Sequence, residues 1–293
     1  MEQKIFALLP NYENGTTPIY YLCMKVPEQA VFFKIDVVTG FMKSRLVILF
    51  FFFTFSWSLQ AQVNANDSVV AAFIPSFSYA YQFPGGDVAE QYGNNSTIGG
   101  ALMYKTRKNL LLSLDVNFIF GGQVKNADSI LWMVLTDNGY IIDGNGVYAL
   151  YNMYERGYSI NFRVGKILRL LSANPNSGVM LMGGIGYIMH RIKIDVQHQT
   201  APQLEGDYGK GYDRLTSGLA LNEFIGYFYM GKSRILNFYA GFEFYQGFTK
   251  NRRDYNFDLM RKDNSNHLDL FYGIKIGWMI PVYDRAPDKY YYY

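Results

Sequence analysis

Asp115, Arg163, Glu243 and Lys275 stand near the middles of four stretches in which polar and apolar residues alternate. Two acids and two bases at one level cancel. If the side chains share a closed interior they must pair, because an unpaired buried charge is costly or neutralises. Two readings follow: an internal salt-bridge plug, or a gate on a narrow ion or proton path. The stretches carrying Asp115 and Arg163 are consecutive, as are those carrying Glu243 and Lys275. Asp115–Arg163 and Glu243–Lys275 are therefore the expected pairs.

Other residues carry weaker chemistry. A hydrolase needs a base, a nucleophile and an orienting acid within mutual reach, and His190, Ser217 and Glu223 form the best such trio. No spacing signature supports it. His198 and His267 sit among Asp residues without metal-site spacing, so neither a metal nor a cofactor is expected. Gly183-Gly184-Ile185-Gly186 lies inside a strand-like stretch and lacks the Lys-Ser/Thr and helix of a phosphate loop. Arg252, Arg253, Arg261 and Lys262 share one loop with Tyr255 and Phe257. They read as a solvated surface, or as a contact for lipopolysaccharide phosphates or a partner protein.

The elements that hold these residues are strands. In Leu268–Val282, LDLFYGIKIGWMIPV, every second residue is apolar, and the set between includes Asp269, Lys275 and two glycines. A strand sends alternate side chains to opposite faces. A lipid-facing barrel strand puts the apolar set outside and the polar set inside, the inverse of a soluble sheet. The same alternation marks 73–83, 97–106, 110–120, 156–168, 179–194, 218–230 and 235–248. Leu114, Phe162, Phe242 and Ile276 fall on the apolar side; Ser113 and Asn161 fall on the polar side. Short links alternate with long ones, as in barrels with short periplasmic turns and long outer loops. The expected fold is thus all-β: an antiparallel up-and-down transmembrane β-barrel of eight strands, or ten if 147–154 forms an extra hairpin rather than extending strand four. In 218–230, Glu223 falls in phase with Leu219, Leu221 and Ile225, which predicts a bulge or a phase error there.

Met42-Lys43-Ser44-Arg45 opens a basic segment, followed by the apolar run LVILFFFFTFSW (46–57) and a small residue at Ala61. That is the layout of a secretory signal, and the run is too short for a spanning helix. Residues 1–41 are then expected to be an extension from a start assigned too early, 42–61 the signal, and 62–293 the barrel with a short C-terminal tail. The single cysteine, Cys23, precedes the cleavage point, which leaves the mature part without disulfides. A net charge of +3 over 293 residues gives no argument for nucleic acid. Aromatics reach 18%, which fits a barrel wall.

GYDRLTSGLALNEFIGY (211–227), GFEFYQGFTKNRRDYNFD (241–258) and NHLDLFYGIKIGWMIPVYDRAPDKYYYY (266–293) resemble a family of small outer-membrane barrel proteins of Bacteroidota. The resemblance covers most of 140–293. It implies the outer membrane of a Gram-negative bacterium and brings no catalytic residue. The expected work is that of a plugged barrel acting as a structural or accessory subunit of an outer-membrane assembly, in contact with outer-membrane lipid, lipopolysaccharide and other outer-membrane proteins. The alternatives are a narrow channel or transporter, and a membrane-embedded lipid or peptide hydrolase.

Overall fold

The structure is a computed structural model that describes residues 6–11, 19–26 and 29–35 by their backbone, and residues 69–197, 201–231 and 235–283. The chain divides into two units, Met1–Ala61 and Gln62–Tyr293. In the first, strands β1 (Phe6–Asn11), β2 (Ile19–Val26) and β3 (Gln29–Ile35) form an antiparallel sheet in sequence order. The signal expected at 42–61 lies outside the described residues.

The second unit is built from eight long strands: β4 (Ala72–Gly86), β5 (Asn95–Lys105), β6 (Leu110–Gly121), then β9 (Tyr151–Leu168), β10 (Gly178–Val196), β11 (Thr216–Met230), β12 (Asn237–Asn251) and β13 (Asn266–Met279). The numbers between belong to two-residue strands in one loop, β7 (Ile141–Ile142) and β8 (Tyr148–Ala149), which pair with each other and stay out of the wall. Each long strand pairs antiparallel with the next, and β13 returns to β4, from Met279↔Ser76 to Asp269↔Gly86. A short β14 (Val282–Tyr283) continues the same register against β4, at Val282↔Phe73. Pro281, which has no N–H, interrupts the ladder between them. The ring closes, so no strand edge is left open.

Burial alternates along the strands with the phase expected from sequence. On β6 Leu110, Leu112, Leu114, Val116 and Phe118 are exposed, while Leu111, Ser113, Asp115, Asn117 and Ile119 are buried. Leu114, Phe162, Phe242 and Ile276 are each at least half exposed, at 50%, 51%, 55% and 55%. A water-facing surface this continuous and apolar would be unstable as a monomer; a hydrocarbon-facing one is what spanning strands require. The fold is an eight-stranded, antiparallel, up-and-down transmembrane β-barrel.

The ten-strand alternative does not arise. Residues 151–155 lengthen β9, and 148–149 make only the small loop hairpin. At one end the links are short: 106–109, 169–177 and 231–236. The first is closed by Thr106 N–H on Leu110 O (2.9 Å) and by Asn109, whose φ of 59° lies in the left-handed region that asparagine tolerates. At the other end 122–150, 197–215 and 252–265 are longer and 87–94 is intermediate; helical turns lie at Val88–Gln91, Ala127–Leu131 and Gly206–Gly209. Trp278 lies on the wall near the short-turn end and donates its indole N–H to Ile235 O at 2.6 Å, as an aromatic side chain at a polar–apolar boundary can.

The interior is filled in layers. An apolar cluster near the short turns contains Ile74, Met103, Leu111, Phe228 and Met279. Another under the long loops joins Ile188, Ile192 and Phe271 of the strands to Val88, Ile130, Leu131 and Ile141 of the loops. Polar residues occupy the level between. Gly277 makes room for one of the large rings: a Cβ there would stand 2.2 Å from Tyr239 Cζ.

Candidate functional site: the interior polar layer

Asp115, Arg163, Glu243 and Lys275 all point inward and are 1%, 3%, 1% and 0% exposed. Arg163 Nε donates to Asp115 Oδ2 at 2.7 Å, and its Nη2 lies 2.5 Å from Asp115 Oδ1. Lys275 Nζ donates to Glu243 Oε2 at 2.7 Å. Both contacts are diagonal across neighbouring strands, the reach that long side chains have in a sheet. A third contact crosses the lumen: Arg163 Nη1 donates to Glu243 Oε2 at 3.2 Å. The four groups are therefore one chain, Asp115–Arg163–Glu243–Lys275, and not two separate pairs.

Neutral donors complete the layer. Ser113 Oγ donates to Asp115 Oδ2 (3.0 Å), and Gln82 Nε2 to Glu243 Oε1 (3.4 Å). Asn161 Nδ2 donates to Tyr245 Oη (3.0 Å), and Asn222 Nδ2 to Asn161 Oδ1 (3.1 Å). An eight-stranded barrel is just wide enough to be filled by its side chains, and here the filling is hydrogen-bonded.

Sequence reasoning missed a second polar group, nearer the long loops. His190 Nε2 lies 2.9 Å from Asp269 Oδ2, which also accepts from Thr249 Oγ1 at 2.5 Å. Asn95 Nδ2 donates to Glu155 Oε2 at 2.9 Å. The inward phase of each residue was the only available signal; which strands meet across the lumen cannot be read from phase.

The proposed hydrolase trio is not assembled. His190 faces inward against Asp269. Ser217 and Glu223 take the opposite, outward phase of β11. Ser217 is covered by Arg252, whose Nε donates to its Oγ (2.9 Å) and whose Nη2 donates to its O (3.0 Å). Neither a bulge nor a phase error brings Glu223 inside: the β11–β12 register runs unbroken from Thr216↔Asn251 to Met230↔Asn237. The Glu223 carboxyl faces outward. His267 lies beside Asp263 and Asp87, and His198 lies outside the described residues. Among the described residues no three of His, Cys, Asp and Glu come together as a metal site.

The basic loop divides. Arg252 is held by Ser217, and Arg253 is forked onto Asp213, whose bond raises the guanidinium above its ordinary pKa against the pull of burial. Arg214 and Asp258 pair beside it. Arg261 is exposed, and Lys262 reaches the fully exposed Asp254, at 3.5 Å. In the same loop burial pushes the Asp263 carboxyl up. The Ser265 hydroxyl and amide and the His267 ring outweigh it and hold the group below the usual carboxylate value.

No protein-family model and no curated protein matches the chain. Solved structures similar to it include small outer-membrane barrels. Ail, the attachment invasion locus protein of Yersinia pestis, in complex with the heparin analogue sucrose octasulfate, is 11% identical; the match covers 72% of this chain and 99% of Ail, with a TM-score of 0.36. The N-terminal β-barrel domain of Pseudomonas aeruginosa OprF is 9% identical, over 71% of this chain and 97% of that one, with a TM-score of 0.30. The outer membrane protein OprG of Pseudomonas aeruginosa is 12% identical, over 74% and 99%, with a TM-score of 0.34. None of these likenesses points to one family. The barrel assignment rests on the closed ring of pairings and the inverted wall.

Proposed function

We propose that this chain is an outer-membrane barrel of a Gram-negative bacterium that works as a structural or accessory subunit rather than as a conduit or an enzyme. One observation carries the reading: the middle of the lumen is taken up by the Asp115–Arg163–Glu243–Lys275 network, with neutral charge balance and bonded neighbours. A permeant ion would have to break those contacts, and each costs several kcal/mol to leave unpaired. Apolar packing above and below the layer supports the same reading. Among the described residues, the long loops with the exposed Arg261 and Lys262 are free to meet a molecule outside the bilayer. These two suit the phosphates of lipopolysaccharide or an acidic patch on a partner protein.

Planar-bilayer recording of the purified protein tests this. The expected trace is flat at moderate voltage, with brief openings at most. Large, steady conductance that changes on replacing Arg163 or Lys275 would turn the plug into a gate and overturn the proposal.

A further inference from the structure

Glu223 is anomalous on the outer wall. It lies midway along β11, with Leu221 and Ile225 on the same face. Beside it, Gln246 of β12 turns its amide Nε2–H toward Glu223 Oε2, at 3.5 Å. On its other side Glu223 is paired in register with Gly183 of β10, where an added Cβ would meet nothing within 4 Å. The result is a groove of about 280 Å³ on the outside of the barrel, lined by Leu181, Gly183, Glu223, Ile225 and Phe244. A carboxyl group facing hydrocarbon is stable only when its polar atoms are satisfied. One amide at the limit of bonding distance leaves most of that capacity unused.

We propose that this face of β10, β11 and β12 is where two copies of the chain associate within the membrane. Two observations favour a second copy over a different partner. A carboxylic acid and a primary amide each both donate and accept, so the Glu223–Gln246 pair is its own complement: the acid of one copy bonds the amide of the other, twice, about a two-fold axis. Two copies inserted in the same orientation also present the pair at the same depth automatically, whereas another protein would have to supply a polar group at that level. The glycine notch lets the backbones approach, which in lipid, where apolar burial gives no drive, is what close packing needs. The proposal goes beyond the plug reading and is independent of it, since conductance and association are measured separately.

The test uses the full chain, dye-labelled through its single cysteine, Cys23, or through a fused tag should Cys23 be removed by processing. Association is measured by energy transfer in phospholipid vesicles over a range of lipid-to-protein ratios. Wild type should dimerise reversibly. Glu223→Leu with Gln246→Leu should weaken association about tenfold or more, the change that two lost hydrogen bonds within lipid can make. Glu223→Gln keeps a group that donates and accepts and should retain most of it. The leucine variants remove a polar cost from the wall, so the barrel should still fold, which the shift between heated and unheated gel mobility checks. A monomeric wild type at every ratio would overturn the proposal, as would dimers indifferent to the leucine changes. Photo-crosslinking from position 185 in native membrane should capture the same chain; capture of a different protein in its place would also overturn it.

Discussion

Removing Glu243 should cost more stability than removing Lys275, although the two are bonded to each other. The reason is the third contact. In Lys275→Ala the Glu243 carboxylate keeps Arg163 at 3.2 Å and Gln82 at 3.4 Å. It loses one charge-assisted bond, worth about 1.5–3 kcal/mol. In Glu243→Ala the Lys275 ammonium loses the one carboxylate bonded to it among the described residues, inside a lumen where it is 0% exposed. Stranding a buried charge costs about 3–5 kcal/mol. Arg163 is affected less, because it retains Asp115 at 2.5 Å. The double variant removes one charge of each sign and leaves the neutral Asp115–Arg163 pair. It should therefore be more stable than the sum of the singles implies, by about 1–3 kcal/mol. Urea titration of the barrel in phosphatidylcholine vesicles, followed by tryptophan fluorescence and by gel mobility, gives all three values. Additive losses, or a larger loss for Lys275→Ala than for Glu243→Ala, would refute the linked network.

Arg placed at Leu114, Phe162, Phe242 or Ile276 should cost about 2–4 kcal/mol of folding free energy, with the largest cost nearest the bilayer midplane; cysteines at the inward Ser113 and Asn161 should react poorly with lipid-borne probes, and the reverse labelling would mean that the wall is inside out. Because Asp263 is held below the usual carboxylate value, its bonds to Ser265 and His267 stabilise the 252–265 loop above that value and are lost as pH falls through the depressed one. Hydrogen-exchange protection in this loop, taken relative to the intrinsic exchange rate at each pH, should therefore fall on acidification, and Asp263→Asn should abolish that fall. Protein extracted from membranes should begin at or near Gln62, by intact mass; a mass that includes residues 1–41 would rule out the Met42 signal.

The strands were legible because period-2 alternation is a local property and each stretch declares its own phase. The wall residues Leu114, Phe162, Phe242 and Ile276 needed nothing else. Glu223 shows the limit. Its phase was read correctly, yet a carboxyl on the lipid side looked like an error to be repaired by a bulge, because the sequence offers no sign of what satisfies it. Contacts across the lumen were illegible for a different reason. His190 and Asp269 are separated by 79 positions and by two intervening strands, and Arg163 meets Glu243 across a distance set by barrel diameter and stagger. Adjacent-strand pairs follow from order alone; trans-lumen pairs require the closed geometry. The loops were the least legible. Their helical turns at 88–91 and 127–131 exist because Val88, Ile130 and Leu131 pack down onto the barrel mouth, a tertiary cause that short segments do not announce.

The trans-lumen contact between Arg163 and Glu243 also constrains how the molecule can be assembled. These residues come from β9 and β12, which become opposed only when the sheet has curled. A flat or half-curled sheet in the bilayer would hold two acids and two bases of its concave side against hydrocarbon, with only the near neighbours paired. Such a species is penalised relative to both the unfolded chain at the surface and the finished ring. Insertion, curling and closure at the β13–β4 seam are thereby coupled into one event, so the barrel should enter the membrane without populating a partly closed intermediate.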